Sequence, residues 1–325
     1  MSAQVNTVLG PIGADELGVV AIHEALLSVV PGAQFAYDIT IDRAEIFDIL
    51  ASKLRAFKAA GGGTIVDRTG MFHGRDLPLY EALSRSTGVH IVASTGMGPE
   101  ENLGGYFLTP QTNPPTPWPA ERFAELFAAE ATDGMVHPRV ARRAPAGLIV
   151  TTQSSDGATP TDDSLLRGAA LAATRSGVAL AFSAPSDTIR ALELALAEGL
   201  PADRIVVSGL DRAGTGATVR ATARAVAKRG AYIALDHIGR VDAGSPSDDD
   251  RAALVLALVD AGHGARILLS AGAVGVAKGH AEVNSAYEVV LTDFAPKLAA
   301  HGLDEDGIRR ILIDNPRDLL AVKEA

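Results

Sequence analysis

The chain has 325 residues, 47 % of them hydrophobic and 21 % charged, enough to bury a large core. A net charge of -10 argues against nucleic acid and anionic membrane as partners, and the absence of cysteine excludes disulfides and thiolate metal ligands. The N-terminus has no basic segment leading into an apolar one, and no apolar run reaches the roughly 18 residues of a membrane span, so a cytoplasmic protein is the expectation.

Val5–Ile12 reads as a hairpin arm. Gly18–Leu27 is an apolar run interrupted by His23 and Glu24, the pattern of a buried parallel strand with chemistry at its end. Ala44–Ala60 has helical spacing, with Ile46, Ile49, Leu50, Leu54 and Phe57 on one face, and three glycines stop it. Thr64–Val66 is the second strand, ending at Asp67, Arg68 and Thr69. A helix over Leu77–Thr87 leads to the third strand, Val89–Ala93.

From Met97 to Pro119 the proline content forbids regular structure. A long loop after a barrel strand is usually a lid or pocket wall, and Met97, Tyr106, Phe107 and Trp118 are its candidate apolar lining. After a helix over Ala120–Ala131, five more strands alternate with helices. The strands are Ala146–Thr152, Val178–Ser183, Arg204–Gly209, Ala231–Leu235 and Arg266–Ser270. The helices are Asp163–Ser176, Asp187–Leu200, Ala217–Arg229 and Asp248–Ala261. Ala271–Gly279 reads as a flexible glycine-rich loop carrying Lys278, and Ala286–Val322 as a helical tail.

Eight strand–helix pairs predict an α/β chain folded as one (β/α)8 TIM barrel over residues 1–325, with a doubly wound sheet as the competitor. In such a barrel the polar groups at the C-terminal strand ends face the active-site mouth. Besides His23, these ends offer Asp67, Arg68, Ser183, Ser208, Asp211, Asp236, His237 and Ser270.

Several of these segments together resemble one family. They are Thr7–Ile12, Leu17-Gly18 with His23-Glu24, Thr64–Asp67 with Gly74-Arg75-Asp76, and Ile91–Gly96. Ala146–Ile149, Leu210–Arg212, Leu235–Ile238 and Asn315-Pro316 continue the match in order. The chain is similar in these to the phosphotriesterase family of the amidohydrolase superfamily. The resemblance implies a (β/α)8 barrel, often dimeric, descended from hydrolases of phosphate esters, lactones or related esters. It also implies two divalent metals, held by a His-x-His on the first strand, a carboxylated lysine, two further histidines and an aspartate.

Here the matching positions read His23 and Ala25, Val150, Ser183, Gly209 and Gly272, so His23 alone remains of six ligands. Strict alternation along a strand should point Glu24 away from His23. A hydroxide-generating ion needs about three protein ligands, which one histidine among hydroxyls and glycines cannot supply. No metal and no cofactor are therefore expected.

What remains points to acid–base chemistry. By the resemblance, His237 and Asp211 match a pair in which the carboxylate steers a proton-shuttling imidazole, usable near neutral pH. His23 is the other candidate catalytic group, or a satisfied core histidine. Asp236 reads as a structural carboxylate. Arg68 or Arg212 could grip a carboxylate or phosphate in a forked contact. Asp67 and Ser183 are further candidates for substrate binding, and so are Gly272 and Lys278, since glycines let backbone N–H groups approach an anion. The leading expectation is a metal-independent enzyme of hydrolase, lyase or isomerase type acting on a small organic substrate, with an anion as one option. The alternatives are a non-catalytic ligand-binding barrel and a single-metal hydrolase built on His23. The partner in each case is a small molecule, with a homodimer as the oligomer the family suggests.

Overall fold

The computed structural model describes residues 3–31, 33, 36–103, 108–109, 116–137, 140–212, 214–242, 244–280 and 286–323. An antiparallel hairpin of Gln4–Thr7 and Gly10–Gly13 precedes the barrel, as the apolar arm predicted. The barrel then runs β1 (Val19–Val29), α1 (Arg43–Ala59), β2 (Gly62–Asp67), α2 (Leu77–Thr87) and β3 (His90–Gly96). It continues with α3 (Ala120–Thr132), β4 (Leu148–Thr152), α4 (Pro160–Ser176), β5 (Ala179–Ser183), α5 (Thr188–Ala197) and β6 (Ile205–Val207). Last come α6 (Ala217–Lys228), β7 (Tyr232–Leu235), α7 (Asp248–Asp260), β8 (Ile267–Leu269) and β9 (Val274–Lys278).

All neighbouring strands of this sheet are parallel, and their order follows the chain from β1 to β8, with β9 beside β1. That order is a wound barrel and rules out the doubly wound sheet, whose strand order reverses. The barrel interior is filled by Val20, Ile22, Val66, Val92, Leu148, Ala181 and Val206 among others, and Leu17 and Leu319 close its lower end. Alanines on β5 and β7 leave room for the larger side chains opposite. Helix positions follow local chemistry. Thr159 and Asp162 form a capping box that lets α4 start at Pro160, earlier than its apolar spacing suggested.

The eighth position of the barrel differs from the sequence expectation. Ala271–Gly279 is not a flexible loop, because its second half is β9, paired with β1 from Val274↔Ala25 to Lys278↔Val29. The eighth strand is thus split: β8 pairs with β7, β9 pairs with β1, and Ser270–Ala273 lie between them. The side chain of Glu24 spans this gap. Its Oε1 accepts from Ser270 Oγ at 2.6 Å and Ala271 N at 3.1 Å, and its Oε2 accepts from Ala273 N at 2.5 Å. A side-chain carboxyl group therefore replaces missing ladder bonds where the barrel closes. The helical tail is interrupted once, at residues 301–304 with Gly302 at φ +96°, which divides residues 290–300 from 305–320; each part contains one π-helical turn, Val290–Phe294 and Arg310–Asp314.

Of the long segment after β3, Glu100–Leu103 is a helical turn, and Leu108–Thr109 pairs with Thr116–Pro117. Tyr106 and Phe107 lie outside the described residues. Among the described residues no helix is long and apolar enough to cross a membrane.

The closure predicts a stability cost at Glu24. Glu24→Ala leaves three buried donors without an acceptor, and about 2–5 kcal/mol of unfolding free energy should be lost. Urea unfolding measures it, and an unchanged midpoint would contradict the clasp.

Candidate active site

The C-terminal strand ends enclose a cavity of about 320 Å³, with His23, Arg68, Thr69, His73, Met97 and Thr151 in its lining. Met97 and Asn102 show that the start of the long segment forms a wall, as expected. Trp118 does not share that role. Its ring packs 5.6 Å from Phe123 on α3, beneath Arg122.

The pairing of β1 with β2 slips between Ala21 and Glu24. Such irregularities re-aim side chains near active sites. Here strict alternation gives way, and His23 and Glu24 both meet groups at the end of the barrel, with different partners. Glu24 meets the Ser270–Ala273 gap, and His23 Nδ1 meets Asp236 Oδ2. Asp236 ends β7 and is fully buried. Its Oδ1 lies 2.9 Å from His237 Nδ1, so one carboxylate joins two imidazoles. Gly209 N donates to both of its oxygens, at 3.1 and 3.2 Å.

Arg68 reaches into the same array. Its Nη1 abuts His23 Nδ1, donates to Ser208 Oγ at 3.0 Å and lies 3.5 Å from Asp236 Oδ2. On the other side, Asp211 Oδ1 is 3.0 Å from His237 Nδ1. Asp211 also accepts from the backbone N–H groups of Asp236 and His237, at 3.2 and 3.1 Å. The fully buried Arg251 holds it through Nε at 2.9 Å. The chain of contacts is Arg251–Asp211–His237–Asp236, with His23 and Arg68 at its far end.

These surroundings push the two imidazoles apart in acidity. Burial, reinforced by the Arg68 guanidinium, lowers His23 to about 4, although Asp236 pulls the other way. Burial also disfavours the charged form of His237, but hydrogen bonds to Asp211 and Asp236 outweigh it and raise that group to about 9. His23 is thus neutral and His237 an imidazolium at pH 7. Burial would raise Asp236, yet the two imidazoles beside it hold its carboxyl well below the usual range. Burial pushes Glu24 up to about 8 against the pull of its three donors, and it lowers Arg68 to about 10, which leaves the guanidinium charged.

The other predicted site residues distribute differently. Asp67 is fully buried and its oxygens are taken by Leu26 N, Tyr80 Oη, Thr69 N and Thr69 Oγ1. It ties β1 to β2 and has no atom left for a substrate. Ser183 and Arg212 line a second cavity of about 360 Å³, together with Ser208 and Gly209. Gly272 does line the main cavity. It sits at φ +59°, and a Cβ there would meet the Asp236 carbonyl oxygen at 2.4 Å, so this backbone accepts no side chain. Lys278 ends β9 in register with Val29, on the closing strand rather than in an anion-binding loop.

Sequence reasoning missed Arg251. Its signal was its place on the buried stripe of α7 with Leu254, Val255 and Leu258, where an arginine needs a partner. Asp236, read as merely structural, is the hub of the array. Asp211, Asp236 and His237 also offer ligand atoms within 4.8 Å of one another. Those atoms already face Arg251, Gly209 N, the imidazolium and Arg68, so the cluster is built for donors rather than for an ion.

The family model of the phosphotriesterase family matches residues 3–320. An N-acetyltaurine hydrolase of Salmo salar is 25% identical, over 99% of each chain. A phosphotriesterase homology protein of Mycobacterium tuberculosis is 27% identical, over 97% of this chain and 96% of the relative. The organophosphorus hydrolase structure from Deinococcus radiodurans superimposes with a TM-score of 0.82 at 24% identity, covering 98% of this chain and 97% of the other. That likeness concerns the fold, a (β/α)8 barrel. On the extent of the family match, this chain belongs to the phosphotriesterase family.

Proposed function

We propose that this barrel is a hydrolase of small anionic amides or esters that works without a divalent metal pair. The observation that carries the reading is the position of Arg68. Its guanidinium lies against His23, the one family ligand kept, and within reach of Asp236 and Ser208. The residues at the other ligand positions do not fit a metal pair. Ala25, Val150 and two glycines offer no ligand atom, and Gly272 has no room for one. A fixed cation at the mouth can hold an anionic group or face an oxyanion as it develops. The Salmo salar relative is named for an amide that carries a sulfonate, which is the substrate class proposed here.

In this reading the split acidities assign the roles, since two titratable groups pushed apart divide acid from base. His23, neutral and oriented by Asp236 through Nδ1, takes a proton from the attacking water. Arg68 faces the carbonyl oxygen as charge builds on it. His237, held by Asp211 and Asp236, returns a proton to the departing amine or alcohol. A second reading, a ligand-binding barrel without turnover, draws on one observation: His237 stands outside the lining of the main cavity.

Three outcomes follow from the proposed chemistry. Turnover of N-acetyltaurine or of a small anionic ester should be unchanged after treatment with a chelator; loss that zinc or manganese restores would contradict metal independence. His237→Asn should lower kcat by about 10²–10⁴-fold; full activity would remove His237 from the mechanism, and no activity in the parent protein on any anionic amide or ester would favour the binding reading. Stability should also depend on pH in a defined way. His237 is raised above its unfolded value of 6.5, so its contribution is complete below pH 6.5 and is lost as pH rises through about 9. His23 is depressed, so stability falls as pH drops from 6.5 through about 4. Urea midpoints across this range, with His237→Asn as the control that flattens the alkaline limb, give the check.

A further inference from the structure

β1 does not stop at the array. It runs beyond Glu24 to Val29, and this extension is held from both sides. β9 pairs with it, placing Ala277 opposite Ser28 and Lys278 opposite Val29, and Val30 N donates to the Lys278 carbonyl at 3.1 Å. From the other side, Val29 N donates to the His73 carbonyl at 2.9 Å. Ser28 is therefore fixed on paired backbone. It lines the main cavity and is partly exposed, so a small molecule in the cavity can reach it.

The chain turns just past β9. Gly279 stands at φ +83°, which glycine adopts freely, and a Cβ there would lie 3.1 Å from Ile39 Cδ1 and 3.3 Å from the Cβ atoms of Ala33 and Val30. The turn brings His280 back to β1, where its Nε2 lies 2.8 Å from Ser28 Oγ. With the ring proton on Nδ1, the Ser28 hydroxyl donates to Nε2. Nε2 is the nitrogen that takes the proton from the serine of a catalytic triad, while Nδ1 orients the ring. A serine hydroxyl alone is a weak nucleophile, and an adjacent imidazole activates it. Asn102 adds a side-chain amide, a neutral donor, to the lining of the same cavity.

We propose that Ser28 and His280 form a nucleophile–base pair that accepts the acyl group of small carboxylic esters at the rim of the main cavity. Ser28 Oγ adds to the ester carbonyl carbon while its proton passes to His280 Nε2. The bond to the alkoxy or aryloxy group breaks, that group leaves with the proton from Nε2, and the acyl group stays on Ser28 as an ester. Water then gives a proton to Nε2 and adds to the acyl carbon. The bond to Oγ breaks, Oγ regains the proton, and a carboxylic acid departs. This chemistry needs no negative charge on the substrate and none of the groups in the Arg68–Asp236 array. It is a second activity, and it does not rest on the hydrolase reading of that array.

The test is covalent labelling of the full chain. Phenylmethylsulfonyl fluoride exchanges its fluoride for a nucleophilic serine oxygen, and peptide mass spectrometry locates the adduct. A sulfonyl group on Ser28 is expected, with no adduct in Ser28→Ala. His280→Gln keeps a hydrogen-bonding side chain but cannot take the proton, and it should slow the labelling by about 10²–10⁴-fold. An unlabelled Ser28, an adduct on a different residue instead, or an unchanged rate in His280→Gln would overturn the pair. The position of the adduct is read in the parent protein, so the result stands even where a variant fails to fold. Labelling requires no turnover of an anionic substrate, and its failure is therefore separate from a failure of the hydrolase reading.

Discussion

The mouth of this barrel depends on how one buried carboxylate is neutralised. Asp236 has no exposed surface, and an isolated carboxylate there would be too costly to keep ionised. It stays ionised because the imidazoles of His23 and His237, the Gly209 N–H and the Arg68 guanidinium surround it. Asp211 is held in the same way by Arg251, His237 and two backbone N–H groups. Within this array Arg68, Arg251 and the His237 imidazolium face Asp236, Asp211 and, against Arg251, Asp248, so three positive groups meet three carboxylates. In a chain whose net charge is -10, the array is thus neutralised locally, and Arg68 is its cation in the lining of the main cavity.

Two consecutive residues on β1 divide the work of the site and the work of the fold. His23 faces the array, while Glu24 clasps the split eighth strand at Ser270, Ala271 and Ala273. The same gap brings Gly272 against the Asp236 carbonyl, at a backbone angle that only glycine adopts easily. Closure of the barrel and the shape of the mouth are therefore coupled. A side chain added at position 272 would have to move the strand end that carries Asp236.

Much of the fold was legible in the residues. Continuous apolar runs alternating with amphipathic segments located the strands and helices, because buried parallel strands and surface helices have different periods. Leu77–Thr87 was read to the residue, since Asp76 caps it and Gly88 ends it. The eighth strand was only half read. Ala271–Gly279 is glycine-rich, and nothing local says that Val274–Lys278 finds its partner almost 250 residues earlier in the chain. At the site, His23 was visible as a polar strand end, and the pairing of His237 with Asp211 through the family resemblance. Asp67 looked equally suited to substrate, but whether a strand-end carboxylate turns inward or ties two strands together depends on Leu26 N and Tyr80, which sequence spacing does not reveal. Ser183 and Arg212 lie at the predicted end of the barrel yet open onto its neighbouring cavity.

The account turns on a guanidinium standing against His23, the one ligand of the family pattern that this chain keeps. Crystals of the full chain soaked in zinc, with data collected at the zinc absorption edge, test this most directly. The expected map shows the Arg68 guanidinium in contact with Asp236 and Ser208 and no anomalous peak beside His23. A pair of strong peaks there, with Arg68 swung away, would contradict it.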